Sequence, residues 1–226
     1  MKNFLRKIPI LYPFLRWLRT MYNKANFSGS QDYWEERYSS GGNSGVGSYD
    51  KFSEFKARYI NDFVEENDIK SVVEFGCGDG NQLLLANYKE YIGYDVSPTA
   101  VNICRQMFSE DSSKEFKLVS DFSGDKSDLS LSLDVIYHLI EDDVFELYMK
   151  NLFRASQKYV IIYSSNKVYP EESTGAHVKH RIFTDWVAKN MKSWNLIATR
   201  ENIYPFKGDS KEGSFSDFFV FQLSEH

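Results

Sequence analysis

The chain has 226 residues, 42% of them hydrophobic, and a formal net charge of −5. This length and composition predict one substantial core and leave little room for a second domain. The acidic balance disfavours a duplex nucleic-acid partner, because such binding depends on Lys and Arg neutralising phosphates. Two cysteines, Cys77 and Cys104, are too few for a disulfide framework and suit a reducing cytosol. No apolar run approaches the roughly 20 residues of a membrane span.

Residues 1–30 form a basic N-terminal extension with no acidic residue before Asp32. From Pro13 onward the apolar side chains fall at helical spacing, which predicts an amphipathic helix. Such a helix either lies on an anionic membrane surface or packs, through residues 4–22, against the domain or a second copy of the chain. Prolines and arginines interrupt the apolar run that a secretory signal needs. We therefore expect a cytoplasmic protein, with peripheral contact to the inner face of the membrane as one alternative.

Residues 31–226 are predicted to form a single domain that begins with a lid segment, residues 31–48. Its first part is aromatic and charged, and residues 39–48 are rich in glycine and serine. Such a stretch is either a plain connector or a mobile lid, and the aromatic residues before it favour a lid. A helix is predicted for residues 49–67, with four aromatic residues on one face. These are Phe52, Phe55, Tyr59 and Phe63.

From there the pattern alternates between strands and helices, which predicts a doubly wound, mostly parallel α/β sheet. After a first strand that ends at Phe75, the predicted strands are residues 91–96, 115–119, 132–137, 159–163, 195–199 and 214–222. The predicted helices are residues 81–88, 98–108, a helix that starts at Glu141, and residues 184–191. The helix at 98–108 is expected to direct Val101, Cys104, Met107 and Phe108 inward.

The most informative stretch is Glu74-Phe75-Gly76-Cys77-Gly78-Asp79-Gly80, where a buried strand leads into a glycine turn. Three glycines at alternate positions let the backbone approach a ligand without interference from Cβ atoms. A helix that follows would offer its first N–H groups to a carboxylate or phosphate. The dinucleotide fingerprint G-x-G-x-x-G needs glycine where this chain has Asn81, and no P-loop ending follows. The turn therefore predicts a nucleotide-like cofactor other than NAD.

Two further acidic residues, Asp95 and Asp121, lie at the ends of the next two predicted strands. Asp95 lies about 20 residues after the glycine turn, the separation at which a βαβ unit places a ribose-binding carboxylate. With the acid at the end of the first strand and G-x-G-x-G after it, this pattern resembles motif I of the class I S-adenosylmethionine (SAM) dependent methyltransferases. The resemblance implies a seven-stranded sheet of order 3-2-1-4-5-7-6 with the last strand antiparallel, and SAM as cofactor. An adapted, non-catalytic Rossmann-like binding domain is the alternative.

The same resemblance implies a set of cofactor contacts. Asp95 would accept hydrogen bonds from the ribose hydroxyls, Asp121 would accept from the adenine amino group, and Phe122 would cover the adenine ring. The full set of implied cofactor-binding residues is Glu74, Gly76, Cys77, Gly78, Asp79, Asp95, Val96, Asp121, Phe122 and Tyr137.

Three of the four histidines map to one end of the predicted sheet, and they are the candidate catalytic residues. A neutral hydroxyl acceptor needs a base, and histidine suits that role because its pKa lies close to working pH. His138, at the end of the fourth strand, is the expected base. His177 and His180, in the loop after the fifth strand, are expected to frame the substrate or, with Arg181, to bind an anionic part of it.

Each histidine has an alternative role. His138 could be a core or capping residue, and the three together could hold a metal through ring nitrogens. We predict no metal, because no acidic cluster supports such a site. Tyr163 and Tyr204 are either pocket or core residues.

We therefore predict a methyltransferase that acts on a small molecule. A looser likeness of residues 33–48 and 177–181 to bacterial methyltransferases of surface-polysaccharide synthesis suggests O-methylation of a sugar, a nucleotide-sugar or a phosphate-bearing precursor. Tyr137-His138-Leu139 stand where methyltransferases of nucleobase amino groups have an Asn/Asp-Pro-Pro-Tyr motif, which disfavours that activity. The alternatives are a protein or RNA methyltransferase and a non-catalytic SAM-binding subunit.

Overall fold

The computed structural model describes residues 27–169 and 175–224. The predicted amphipathic segment, residues 4–22, lies outside the described residues. Within the described residues, no helix is both long enough and apolar enough to cross a membrane.

Five helices and seven strands make up the described fold. The helices are α1 Ser30–Ser39, α2 Asp50–Glu66, α3 Pro98–Met107, α4 Asp142–Arg154 and α5 Phe183–Asn190. The strands are β1 Ser71–Phe75, β2 Glu90–Asp95, β3 Lys114–Leu118, β4 Ser127–Leu133, β5 Ser156–Ser164, β6 Trp194–Arg200 and β7 Asp217–Leu223. Short 3-10 turns occur at Val46–Ser48, Gln82–Leu85, Val119–Asp121 and Ile136–His138.

The strands form one sheet of order β3-β2-β1-β4-β5-β7-β6. Strands β1 to β5 pair in parallel, and β7 runs antiparallel to both of its neighbours. The predicted fold class and strand order are therefore confirmed. The chain order reverses between β1 and β4, and in such sheets ligands bind in the crevice outside the carboxyl ends of the strands at that point.

The core lies on both faces of this sheet. One face is covered by α2 and α3 and the other by α4 and α5. Val101 and Cys104 of α3 are buried as expected, and Phe108 is partly buried. Met107 was expected to point inward, but it is 44% exposed.

The predicted helix at residues 81–88 is wrong. The chain forms only the 3-10 turn Gln82–Leu85, after which Ala86 takes an extended conformation. The side chain of Asn61 on α2 explains this, because its amide donates to Leu85 O (2.8 Å) and accepts from Asn87 N (3.0 Å). In a helix over residues 81–88, Asn87 N would donate to Leu83 O, so its bond to Asn61 replaces a helical one.

The predicted fourth strand, residues 132–137, is also misplaced, since β4 ends at Leu133. Asp134 follows with φ +60°, a left-handed conformation that ends the strand. The apolar run after it belongs to a 3-10 turn in which Ile136 is buried. An apolar run of this kind is buried in either conformation, so burial alone does not predict a strand.

Candidate active site

A cavity of about 540 Å³ opens at the carboxyl ends of β1, β2 and β4, a volume within the usual range for small-molecule sites of roughly 300–1,000 Å³. Its walls come from the sheet crevice, from α1 and α2, and from α4. We distinguish two sides. The glycine-turn side consists of Glu74, Gly76, Cys77, Gly78, Asp95, Val96, Val119 and Val135. The histidine side consists of Asp32, Trp34, His138, Leu139, Glu141, Asp143, Val144 and Leu147.

The glycine turn is tightly enclosed. Gly76 and Gly78 have φ values of +84° and +58°, a region that L side chains rarely adopt. A Cβ atom on Gly76 would lie 2.4 Å from a Val135 methyl carbon, and one on Gly78 would lie 2.3 Å from Ser44 Oγ. Both positions therefore require glycine for conformation and for space.

Asp95 is buried at the end of β2 and is held by the backbone. Its Oδ2 accepts from Gly78 N and its Oδ1 from Ser97 N, both at 2.9 Å. Burial raises the pKa of Asp95 to about 6, although the backbone hydrogen bonds act in the opposite direction. A carboxylate offers about four acceptor positions. The backbone does not use all of them, so Asp95 can still accept from a ligand hydroxyl and fits a ribose-binding role.

Glu74 and Asp79 serve the turn in different ways. Glu74 lines the cavity and accepts from Tyr91 Oη (2.7 Å), and burial raises its pKa to about 7. The Asp79 carboxylate instead accepts from Ser44 N (2.8 Å) and Tyr49 Oη (2.7 Å). Asp79 therefore binds the preceding segment of the chain rather than facing the cavity.

Besides Asp79, three more of the residues expected to touch the cofactor lie outside the cavity lining. Asp121 is exposed, Tyr137 donates to Asp134 Oδ1 (3.0 Å), and Phe122 packs edge-on against Phe75 with ring centroids 5.2 Å apart. The apolar lining near them comes from three smaller side chains. These are Val96, Val119 and Val135.

The predicted lid segment, residues 31–48, lies directly over the glycine turn. Besides the bond from its backbone to Asp79, Ser44 accepts from Asp79 N through its hydroxyl (3.0 Å). On α1, Glu35 accepts from Ser97 Oγ (2.5 Å) and from Thr99 Oγ1 (2.6 Å) at the start of α3. The segment is thus hydrogen-bonded to both walls of the glycine-turn side, which is the position that a lid requires.

The histidine side is organised by stacked rings. Tyr33 and His177 stack with centroids 4.6 Å apart, and His177 stacks on His138 at 5.4 Å. Trp34 meets His138 edge-on at 5.0 Å. Residues from α1, from the loop before α5 and from the turn after β4 therefore meet in one column.

The His138 ring has a defined tautomer. Its Nδ1 lies 2.9 Å from His177 O, and because a carbonyl only accepts, Nδ1 carries the proton in the neutral ring. The lone pair is therefore on Nε2. Burial lowers the pKa of His138 to about 4, so the ring is neutral at pH 7.

Of the three candidate histidines, His138 is the one that lines the cavity. His180 bonds to Ser165 Oγ (2.5 Å) through Nδ1 and packs against Tyr169 and Phe215. His177 contributes its carbonyl and its ring to the position of His138. Burial lowers the pKa of both His177 and His180.

The other polar candidates in this region have structural partners. Arg181 donates to Leu139 O (2.6 Å) and Ile140 O (3.0 Å) and pairs with Asp142, so the expected role in binding an anion does not fit. Tyr163 is a core residue, 1% exposed. Tyr204 packs against the aromatic face of α2.

The histidine-metal alternative finds no support in the geometry. Among residues 27–169 and 175–224, no group of three or more His, Cys, Asp or Glu side chains is arranged to hold a metal ion. His138 and His180 each engage one ring nitrogen in a hydrogen bond to the protein.

A buried ion pair at the floor of the cavity escaped the sequence analysis. Lys56 on α2 is fully buried, lines the cavity and pairs with Asp134 Oδ2 at 2.9 Å. Asp134 Oδ1 also accepts from Ser216 Oγ (2.7 Å). The available signal was a lysine on the apolar face of an amphipathic helix, among aromatic residues, where a charge needs a partner.

Comparison with known proteins agrees with this architecture. Residues 73–161 match the family model described as "Methyltransferase domain". No curated protein sequence matches the chain.

Three solved structures illustrate the fold similarity. N-methyltransferase NodS from Bradyrhizobium japonicum WM9, in complex with S-adenosyl-L-homocysteine (SAH), has a TM-score of 0.67 at 14% identity, over 88% of this chain and 100% of that chain. Magnesium protoporphyrin IX methyltransferase ChlM from Synechocystis PCC 6803, with bound SAH, has a TM-score of 0.62 at 14% identity, over 86% and 98%. CurJ carbon methyltransferase has a TM-score of 0.55 at 10% identity, over 76% and 54%.

The chain therefore has the fold of the class I SAM-dependent methyltransferases, and its residues 73–161 are similar to a methyltransferase domain. The predicted cofactor, SAM, is supported by the family match. Because the neighbours include an N-methyltransferase and a carbon methyltransferase, the shared fold is independent of the acceptor atom.

Proposed function

We propose that the protein transfers a methyl group from SAM to a hydroxyl of a small-molecule acceptor. The observation that carries this proposal is one continuous cavity that joins the glycine turn and Asp95 to His138, whose Nε2 holds a lone pair. When bound, SAM supplies an electrophilic methyl group. The residues of the chain contribute binding, orientation, exclusion of water and a proton acceptor.

On the glycine-turn side, Asp95 accepts the ribose hydroxyls, and the backbone at Gly76 and Gly78 lies against the cofactor. Val96, Val119 and Val135 supply apolar surface for the adenine ring. The lid segment, residues 31–48, covers this side and keeps water from the reacting atoms.

On the histidine side, His138 takes the proton from the acceptor hydroxyl. A hydroxyl oxygen becomes far more acidic as it gains the methyl group, so a base with a lowered pKa is adequate. The lowered pKa also keeps His138 neutral throughout the physiological range. His177 acts by holding the ring, and His180 and its aromatic neighbours shape the loop that frames the acceptor.

The acceptor we favour is a sugar hydroxyl. Asp32, Glu141 and Asp143 line the histidine side, and Arg181 is already bonded to the protein. Carboxylates accept hydrogen bonds from hydroxyls and repel phosphates. This charge pattern favours a neutral sugar over a nucleotide-sugar or a phosphate-bearing polysaccharide precursor, and it also disfavours RNA.

Two experiments test the proposal. Calorimetry on the wild-type protein should show SAM and SAH binding with micromolar Kd, about 8 kcal/mol, and no NAD binding. Labelled SAM incubated with the protein and a fractionated extract of its source should place the label in small, neutral metabolites. Label in protein or RNA would favour the macromolecular alternative. SAM binding without turnover on any fraction would favour a non-catalytic subunit, and NAD binding in place of SAM would overturn the cofactor assignment.

We also propose that the protein is cytoplasmic and that residues 4–22 contact the inner face of the membrane, with a homodimer as the alternative. The support is their basic amphipathic sequence, since each basic residue near an anionic surface contributes about 1 kcal/mol. Sedimentation with anionic vesicles should exceed that with neutral vesicles and should weaken with salt. Equal sedimentation with both would favour the protein-protein contact.

A further inference from the structure

Helix α4 carries apolar side chains on two of its sides. Phe145, Met149 and Leu152 are buried in the core against the sheet. Val144 and Leu147 share another side of the helix, where both line the cavity, and they are 39% and 61% exposed. A helix at the surface of a domain normally has one apolar stripe, with polar residues elsewhere. We call Val144 and Leu147 the apolar rim of the cavity, and their exposure needs a reason other than core packing.

The ligand contacts proposed above do not include the apolar rim. The adenine ring has apolar surface from Val96, Val119 and Val135 on the glycine-turn side, whereas the apolar rim belongs to the histidine side, together with His138. A sugar hydroxyl that reaches His138 brings mainly other hydroxyls with it. Large apolar side chains exposed at the edge of a cavity indicate a ligand that buries apolar surface there.

The charges around the apolar rim disfavour an anionic ligand. Asp143 directly precedes Val144 and lies one helical turn before Leu147. Asp32 and Glu141 line the same side of the cavity. A phosphate or carboxylate attached to the apolar group would be repelled by these side chains. The apolar rim therefore fits an uncharged hydrocarbon group.

The chain leads from the N-terminal extension directly into this cavity. Residues 28–32 all line it. Residues 4–22, for which membrane contact is proposed above, are joined to them through residues 23–27, which span at most about 18 Å when fully extended. The mouth of the cavity is therefore within reach of the membrane surface, so a lipid of that membrane can supply the hydrocarbon group.

We infer that the acceptor is a neutral glycolipid, with its hydrocarbon part on the apolar rim and a sugar hydroxyl at His138 Nε2. This inference rests on the proposed function and specifies its substrate class. The hydroxyl oxygen forms a bond to the methyl carbon while the bond between that carbon and the sulfur of SAM breaks, and the bonding electron pair stays on sulfur. The hydroxyl proton passes to His138 Nε2, and the products are the O-methyl glycolipid and SAH.

Two alkyl glucosides that differ in chain length test the apolar rim. Calorimetry is done on the wild-type protein saturated with SAH. The longer probe, n-octyl β-D-glucopyranoside below its micellar concentration, should bind at least about 10-fold more tightly than methyl β-D-glucopyranoside, because its chain buries apolar surface. If the octyl chain brings no gain in affinity, whether or not the sugar itself binds, the inference is overturned.

Leu147→Asn keeps the approximate size of the side chain and removes its apolar character. It should reduce the gain from the octyl chain by about 10-fold and leave the affinities for methyl glucoside and SAH unchanged. Val144→Thr should show a smaller loss of the same kind. Leu84→Asn is the matched control and should keep the full gain, because Leu84 is similarly exposed, at 56%, and does not line the cavity.

A thermal melt of each variant shows that it is folded. A gain that survives in Leu147→Asn would place the octyl chain elsewhere on the protein. An equal loss of SAH affinity in Leu147→Asn would assign the apolar rim to the cofactor. Either result would overturn the inference.

The membrane source is tested by incubating the protein and labelled SAM separately with the organic-phase and aqueous-phase fractions of an extract of its source. Label should enter an organic-phase product that an anion exchanger does not retain. Label in a water-soluble product, or in a lipid that the exchanger retains, would overturn the inference. Failure of the proposed function would look different, because the wild-type protein would then bind no SAH or would label neither fraction.

Discussion

The two sides of the cavity are built in different ways. The glycine-turn side comes largely from one contiguous stretch, residues 74–96, whose backbone is fixed by strand pairing and by the bonds of Asp95. The histidine side is assembled from α1, the turn after β4 and the loop before α5, which meet through stacked rings. A side fixed by backbone geometry should respond to substitution by losing ligand binding. A side held by ring contacts should respond with a lower rate of reaction. The loss should be larger when more of the stacked rings are removed.

The largest effect is expected at the glycine turn. In Gly78→Val, the added Cβ would meet Ser44 Oγ at 2.3 Å in a backbone conformation that valine avoids. We expect calorimetry to detect no SAH binding at millimolar ligand, a loss of at least about 1,000-fold from a micromolar Kd.

Gly208→Val controls for backbone strain. Gly208 also has a positive φ, +107°, but a Cβ there would have no neighbour within 4 Å. This variant should lose some stability and keep its affinity for SAH. If both variants bind SAH equally well, close packing of the turn is not what forms the ligand site.

On the histidine side, His138→Ala should leave SAM affinity and Tm near the wild-type values. Turnover should fall by about 10²-fold to 10⁴-fold, the usual range for lost acid-base catalysis. Initial rates with saturating SAM, together with a thermal melt, measure this. A histidine with only a structural role would lower Tm together with the rate.

His177→Ala and His180→Ala are the comparison variants, because neither residue lines the cavity. His180→Ala should act mainly on the apparent affinity for the acceptor, whereas His177→Ala also removes the ring that stacks on His138 and should lower kcat as well. Normal turnover in His138→Ala with loss in His180→Ala would reverse the assignment of base and framing residue.

The contrast between the two sides also explains what the sequence could predict. The strand order followed from a resemblance carried by the glycine turn, and Asp95 followed from its spacing, because both depend on local backbone geometry. The ring column could not be predicted, since Tyr33, His138 and His177 are far apart in sequence and meet only through tertiary packing.

Two failures have identifiable physical causes. The helix predicted at residues 81–88 was prevented by the side chain of Asn61, which no local pattern indicates. The sequence indicated only one member of the pair formed by Lys56 and Asp134. A lysine on an apolar helix face requires a partner, but that partner follows a strand 78 residues later in the chain.

Cofactor binding on the glycine-turn side should depend on pH through Asp95. Burial raises the pKa of Asp95 to about 6, and a protonated carboxyl accepts ribose hydroxyls poorly. SAH affinity should therefore fall as pH drops through 6, approaching about tenfold per pH unit at lower pH. Calorimetry between about pH 5 and pH 8 measures this, because Asp95 and Glu74 titrate within that range.

Unfolding does not explain such a loss. A carboxyl whose pKa is higher in the folded state binds its proton more tightly there, so its contribution to stability is greatest at low pH and declines as pH rises through 6. Asp95→Asn should bind SAH weakly and show a smaller pH dependence. Glu74, with its pKa raised to about 7, remains in that variant and accounts for any dependence that is left. An unchanged pH dependence in Asp95→Asn would exclude Asp95 as its source.

The smallest effect is expected at the outer end of the ring column. Tyr33 stacks on His177 at 4.6 Å with an interplanar angle of 9°, and His177 in turn stacks on His138. An aromatic pair of this kind contributes about 0.5–1.5 kcal/mol, so Tyr33→Ala should lower kcat by about 2-fold to 10-fold through looser placement of His138. Affinity for SAH should not change, because Tyr33 does not line the glycine-turn side. Tyr33→Phe retains the ring and loses only a long contact with Arg37 (3.4 Å), so its kcat should match the wild type. If Tyr33→Phe is as slow as Tyr33→Ala, the hydroxyl rather than the stack positions His138, and the two sides of the cavity then differ less than their construction indicates.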